Sequence, residues 1–368
     1  MTRPFIAIAA VALTTACSAR APEQTEGWQQ AVVGGEPSDE SQDGVLLLRG
    51  TVDDGSELLC TASLVAPNLV LTARHCVAYL SEGLFSCSAR GELEPSDAEG
   101  GRLGLHIPAD QLEVYSGRAP RRASVARGQR VFSTLSPTIC TNDIAFVLLD
   151  RALSFPLVPM RLERPAEAGE SSVLVGFGMD ESEMGIDYVT QPRRQRRDLR
   201  IAAVGPSSVS EGVTTAPPRS LLLRGPSGCI GDSGGPLLSQ ASGAVLAVYS
   251  LQAGESCSAA NVGQQLVQVQ PFTALISEAF QAAGAEPLPE PEPSASGGDG
   301  GQPPASPEPR EAGAGGAPTE LPTGASPQES TGCSFATTFG PKTSAWLWVA
   351  MAMLRRARRR GGSSTPPV

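Results

Sequence analysis

Short apolar runs recur along the chain between polar and turn-forming stretches: Val45–Leu48, Ser63–Val65, Leu69–Thr72, Ile144–Leu149, Ser172–Val175, Leu221–Leu223, Pro236–Leu238 and Val245–Val248. None is long enough for a buried helix, and Gly and Pro punctuate the gaps. Such a pattern predicts short β-strands and an all-β chain. One segment has a different period. In Pro271–Ala283 the residues Phe272, Leu275, Ile276 and Phe280 share one helical stripe. Pro271 suits a first helical position and Gly284 the position after a last turn, so a closing helix is predicted. Arg193–Arg200 reads as a solvated loop, with a docking site for acidic partners as the alternative.

The two ends follow other patterns. Residues 1–16 carry one early base, Arg3, an apolar run from Phe5 to Leu13, and Thr14-Thr15-Ala16 before Cys17. This is the form of a secretory signal. It resembles a bacterial lipoprotein signal with Cys17 as the lipid-bearing residue, except that the leucine lies one place early. An ordinary signal peptide cut near Cys17 is the rival reading. Residues 285–332 are dominated by Pro, Gly, Ser, Ala and Glu. They hold too little apolar surface to offset chain entropy and predict a disordered linker. Then come Gly332-Cys333-Ser334, an apolar stretch peaking at Trp346–Leu354, and Arg355-Arg356-Ala357-Arg358-Arg359-Arg360. An apolar segment before a basic block has the form of a stop-transfer element. Phe335 to Leu354 is about the 20 residues a span needs, with Pro341 and Lys342 interrupting it. Segment 333–368 resembles the MYXO-CTERM sorting tails of myxobacterial surface proteins. That implies processing near Cys333 and transfer to the cell surface; a plain tail anchor is the alternative.

Composition narrows the class. A net charge of −10 argues against nucleic acid as the main partner. The 8 cysteines occur in a chain with an export signal, which favours disulfides over metal. No Cys-Xaa-Xaa-Cys pair or His cluster points to zinc, so no metal and no cofactor are expected.

Residues 229–236 read Cys-Ile-Gly-Asp-Ser-Gly-Gly-Pro. A serine between glycines on a tight turn offers an exposed hydroxyl with backbone N–H groups beside it. Acyl transfer needs both, a nucleophile and donors for the oxyanion. The hydroxyl also needs a base, and the chain has only 2 histidines, His75 and His106. His106, in Gly104-Leu105-His106-Ile107-Pro108, reads as a surface or satisfied structural residue, which leaves His75. The base needs an acid partner. Asp143, at the mouth of the apolar run Ile144–Leu149, is the candidate, because burying an acid there requires pairing.

The octapeptide, Leu71-Thr72-Ala73-Arg74-His75-Cys76 and Asn142-Asp143-Ile144-Ala145 together resemble the motifs of trypsin-like, chymotrypsin-fold serine proteases, with Arg74 replacing an alanine. The chain order His75, Asp143, Ser233 is that of this family. The resemblance covers residues 32–284. It implies two consecutive six-stranded antiparallel β-barrels with a C-terminal helix and an active site between the barrels. It implies an oxyanion hole from the N–H groups of Gly231 and Ser233, and disulfides Cys60–Cys76 and Cys229–Cys257. Parity and the export signal favour pairing Cys87 with Cys140, and no family position supports it. Val32-Val33-Gly34-Gly35 resembles the family's mature start, which implies that an activating protease cuts after Ala31 and that the freed Val32 amine pairs with Asp232. Residues 17–31 would then be a propeptide.

In the family the position of Ser227 lies at the base of the primary specificity pocket, and trypsins carry an acid there. Without one, a cationic substrate side chain would be desolvated unpaired. Cleavage after Lys or Arg is therefore not expected. Ser250, Leu251 and Gln252 align with the pocket wall, where Leu251 replaces a tryptophan and Gln252 a glycine. A small or medium apolar residue before the scissile bond is favoured. The sequence thus predicts an exported serine endopeptidase at the cell envelope, acting on peptide or protein substrates and handled by export and sorting machinery. A catalytically silent surface-binding module or adhesin is the rival reading.

Overall fold

The computed structural model describes residues 32–292 except 53–54, 82, 84, 96–99, 118–122, 180–191, 209–214 and 254–255. The expected signal, the expected propeptide with Cys17 and Ala31, most of the expected linker, and the expected sorting tail with Cys333 lie outside the described residues.

The first barrel comprises β1 (Val45–Thr51), β2 (Glu57–Ala66), β3 (Leu69–Thr72), β4 (Leu112–Tyr115), β5 (Ala126–Ser133) and β6 (Ala145–Leu149). It closes in the order β5-β6-β3-β2-β1-β4. The second comprises β7 (Ser171–Gly176), β8 (Arg194–Val204), β9 (Ser220–Arg224), β10 (Pro236–Ser239), β11 (Val245–Ala253) and β12 (Gly263–Gln268). Its ring runs β8-β7-β10-β11-β12-β9, and β9 pairs back onto β8. All these pairings are antiparallel, so the expected pair of six-stranded barrels is present.

Burial explains the continuous apolar runs. Leu46, Leu48, Leu64, Val70 and Val147 fill the first barrel. Their neighbours Val45, Leu47, Leu69, Leu71 and Phe146 face the other way, into a core shared with Val175, Val248 and Val267 of the second barrel. Both faces of these strands are dry, so they do not alternate with polar residues. The predicted helix is α1 (Thr273–Ala283), entered through a 3-10 turn, Gln270–Phe272, that holds Pro271. Gly284 takes the left-handed conformation at φ 66° and closes it. Phe280 meets Phe146 edge-on, centroids 6.3 Å apart, which seats α1 on the first barrel.

The arginine-rich stretch is not a solvated loop. It lies in and just before β8, with Leu199, Ile201 and Ala203 buried along one face. Arg193 is fully buried and donates to Ser38 Oγ, Val45 O, Asp39 O and Asp43 Oδ1. Arg194 donates to Gly35 O, and Arg196 to Val33 O and Pro226 O. A guanidinium has five donors in a fork, enough to be satisfied by carbonyls inside a protein. These arginines fasten segment 33–45 to the second barrel.

Residues 285–292, the start of the expected linker, are also docked. Met160 N–H donates to Leu288 O at 3.0 Å. Arg161, 2% exposed, pairs with Glu290 at 2.5 Å and with Glu170 at 2.8 Å. Ser242 Oγ adds a bond to Glu290. Composition predicted disorder here, but one acid met a buried cation that needed a partner. Glu290→Gln should lower stability by about 2 kcal/mol, as a charged hydrogen-bonded pair is lost from a largely buried site. Urea denaturation of the variant against the parent measures it.

Candidate active site

β3 runs into the turn Arg74–Cys76, and β6 begins just after Asp143, so the β3–β6 pairing brings His75 and Asp143 together. Asp143 is fully buried. Its Oδ2 lies 2.7 Å from His75 Nδ1 and its Oδ1 accepts His75 N–H at 2.8 Å. Ser250 Oγ, on β11, donates to the same Oδ2 at 2.5 Å. Burial pushes the Asp143 carboxyl up, but the His75 charge and these bonds outweigh it and hold it low. Burial pulls His75 down, and the Asp143 carboxylate more than reverses that, so the imidazole lies above its ordinary value. His106 is elsewhere, its Nε2 2.8 Å from Ser133 Oγ. The Arg74 departure is accommodated by turning the guanidinium to Ser136 O.

Thr61, on β2, joins this edge of the first barrel to the serine turn of the second. Its N–H donates to Ser233 O at 2.7 Å and its Oγ1 to Gly231 O at 2.9 Å. The same Oγ1 accepts Phe177 N–H, while Thr61 O accepts Thr72 Oγ1. Gly234 sits so close that a Cβ there would lie 2.1 Å from Thr72 Oγ1 and 2.8 Å from Ala73 N. The serine turn therefore abuts the segment leading into His75. Ser233 itself is half-buried. Thr61 was not singled out in the sequence, where it stands in β2 with a second hydroxyl residue, Ser63.

Behind the turn, Asp232 is fully buried, under Gly176 and Gly178, where a Cβ would strike its carboxylate. It accepts Gly178 N–H at 2.8 Å and Cys229 N–H at 2.9 Å. The backbone N–H of Val32, also fully buried, is a third donor. Burial pushes the Asp232 carboxyl up to about 6, with the three N–H groups opposing it. Val32 thus reaches the acid expected of it, through its peptide N–H.

All three disulfides are present: Cys60–Cys76 beside His75, Cys229–Cys257 beside the serine turn, and Cys87–Cys140, which ties down the loop before Asp143. Ser227 precedes the serine turn and is fully buried; its Oγ has no partner among the described residues. Leu251 and Gln252 continue β11 past Ser250 and are half-buried. Two further residues reach the same place. The Tyr249 ring lies against Gly228, where a Cβ would come within 2.5 Å of it. Gln264, fully buried on β12, accepts from Gly228 N at 3.3 Å through Oε1 and donates to Gly228 O at 3.2 Å through Nε2. Gln264 was not legible beforehand, because the run Gly263–Gln268 lacked the apolar signature of a strand.

Residues 32–276 match the Trypsin family model, and the chain belongs to that family of serine proteases. Among its relatives, the cercarial protease of Schistosoma mansoni is 27% identical over 205 residues, which cover 52% of this chain and 70% of that protein. Similar solved structures include the HL collagenase, at 17% identity and TM-score 0.49, covering 69% of this chain and 100% of that one. Another is the scabies mite inactivated protease paralogue S-I1, at 16% identity and TM-score 0.47, covering 67% and 99%.

Proposed function

We propose that this trypsin-family chain is an exported, surface-tethered serine endopeptidase. Ser233 attacks a peptide carbonyl while His75 takes its proton and then delivers it to the leaving amine. Asp143 fixes the tautomer of His75 and stabilises the imidazolium, and Ser250 steadies Asp143. The N–H groups of Gly231 and Ser233 receive the oxyanion, and water resolves the acyl-enzyme. The observation that carries this reading is the 2.7 Å contact of buried Asp143 with His75, held against the serine turn through Thr61. A fluorophosphonate should label the protein at Ser233, and Ser233→Ala should not be labelled. A chain that stays unlabelled would instead be the silent binding module.

Activation is read from Val32. A cut after Ala31 converts its N–H into an ammonium at Asp232. Before the cut, Asp232 has only N–H donors and an acid pushed up to about 6. An acid raised on folding favours the folded state below its unfolded value, about 4, and loses that contribution as pH rises through the folded value. The uncleaved Ser233→Ala chain should therefore lose melting temperature from this group between about pH 4 and pH 6. Asp232→Asn in that background should flatten the dependence.

The absence of an acid at Ser227 supports low activity after Lys or Arg. Cys17 and the segment 333–368 support envelope localisation. A cut after Ala31 separates Cys17 from the protease domain, so the C-terminal tail must hold the mature enzyme. Deleting residues 333–368 should release active protease into the medium, and Cys17→Ala should leave it on the cells. Fractionation with an antibody to residues 32–284 reads both, and mature enzyme that stays cell-bound after the deletion contradicts the tethering.

A further inference from the structure

We propose that the hairpin Phe85–Pro95 is a fixed strap from the first barrel to the second, and that it limits the enzyme to substrates with only a few residues on the amino-terminal side of the scissile bond. The proposal rests on the serine-peptidase reading above and narrows it to cuts near the amino-terminal end of a chain. Between His75 and β4 the chain forms small antiparallel pairs outside both barrels, Ala78–Leu80 with Leu103–His106 and Phe85–Cys87 with Leu93–Pro95. The second of these pairs is the strap.

It is fastened on both sides. The Cys87–Cys140 disulfide ties it to the segment just before Asp143. Cys87 O accepts Thr215 Oγ1 at 2.6 Å, and Thr215 O accepts Gln265 Nε2 of β12 at 2.9 Å, so a hairpin of the first barrel is bonded to the second. At its turn Gly91 has φ 82°, and a Cβ there would lie 2.4 Å from Thr141 Cγ2 and 3.3 Å from Pro218 Cδ. The turn is therefore wedged between a residue that leads to Asp143 and one that leads to β9. Underneath, Phe85 and Leu93 pack with Cys87, Ile139, Cys140 and Leu251 in one apolar cluster. Leu251 follows Ser250, whose hydroxyl holds Asp143. A covalent link, a cross-barrel hydrogen bond and an apolar pad make the strap part of the resting fold.

The covered place lies on the path of a substrate. β11 is bonded to the serine turn through Tyr249, which exchanges backbone bonds with Gly234 and Gly235. From Ser250 to Ala253 one edge of β11 pairs with β12, and the other pairs with no strand among the described residues. An unpaired strand edge takes up an extended chain. The half of a substrate that stays on Ser233 as the ester has this edge beside it, and the other half departs as the amine with the proton from His75. At about 3.3 Å per residue, the acyl half comes level with Leu251 within about two or three residues of the scissile carbonyl. The apolar platform there is already taken by Phe85 and Leu93. A longer acyl half must displace that pad or turn away from the strand, and either shifts the scissile carbonyl from Ser233.

The test uses a peptide series built outward from the shortest substrate that the enzyme cuts. One arm lengthens the amino-terminal side a residue at a time, and the other lengthens the carboxy-terminal side. In the first arm kcat/KM should fall by about tenfold or more once the strap is reached, and in the second it should not fall. Phe85→Ser with Leu93→Ser, which removes the pad, should recover cutting of the long peptides and label at Ser233 with a small fluorophosphonate as fast as the wild type. Should that variant fail to label, Thr215→Val, which removes only the cross-barrel bond, is read by the same criterion. Wild-type enzyme that labels yet cuts peptides with long amino-terminal sides as fast as short ones overturns the proposal while the peptidase reading stands. So does a labelled strap variant with no gain on the long peptides. Wild-type chain that fails to label removes the reading on which the proposal rests.

Discussion

Ser233→Ala and His75→Ala should each lower peptide hydrolysis by roughly 10⁴-fold or more, while His106→Ala should keep most of the activity. The magnitude follows from how such residues work as a unit: once the nucleophile or its base is gone, only oxyanion binding and substrate positioning remain. The contrast between the histidines follows from their surroundings. His75 has a buried carboxylate on Nδ1, which orients the ring and stabilises its charge. His106 has a serine hydroxyl, and burial followed by the Arg74 charge holds its imidazole below the ordinary value. Steady-state kinetics of the purified variants, with circular dichroism to establish folding, decides the matter. Loss of activity in His106→Ala equal to that in His75→Ala would require a different base.

Gly234→Ala should damage both stability and activity. Gly234 has φ 79°, where an L side chain is strained, and the added Cβ would lie 2.1 Å from Thr72 Oγ1, 2.4 Å from Thr61 O and 2.8 Å from Ala73 N. Two of those atoms are backbone and cannot rotate away. The serine turn must therefore move off the first barrel, which breaks the Thr61–Ser233 bond and shifts Ser233 relative to His75. A displacement near 1 Å costs on the order of 10²-fold in rate, and the strain and lost contacts should cost about 3 kcal/mol or more. Gly243→Ala is the control. Its φ is 73°, but nothing lies within 4 Å of the added Cβ. It should lose only about 1 kcal/mol and keep its activity. Urea denaturation and kcat/KM for both variants separate crowding from backbone strain.

Strands with dry faces announced themselves, and strands stabilised by polar groups did not. Every apolar run read as a strand lies at least largely within β1–β3, β6, β7 or β9–β11. β5, Ala126–Ser133, carries Arg127, Gln129 and Arg130 exposed to solvent, so its apolar signal was diluted. β8 was hidden because its arginines are satisfied by carbonyls in segment 33–45, a partner distant in sequence. β12 was hidden because Gln264, Gln265 and Gln268 are buried there, where glutamine is expected at the surface. The site divides in the same way. His75, Asp143 and Ser233 stand in motifs whose residue types state their chemistry. Thr61 and Gln264 sit beside the serine turn only because the fold brings β2 and β12 there, and no local pattern encodes that adjacency.

The docked segment 285–292 also decides how the protein bears a pull. Tension applied to the chain beyond residue 292 arrives first at Glu290, gripped by Arg161, and at the Met160–Leu288 bond. Arg161 N–H is in turn bonded to Val245 O at the start of β11. The force therefore enters the second barrel sideways, across several bonds stretched together. Without the clamp it would act on Gly284 and unzip α1 one turn at a time, drawing Phe280 away from Phe146. Pulled from its C-terminal side, the domain would thus keep its closing helix seated until the Arg161 grip fails.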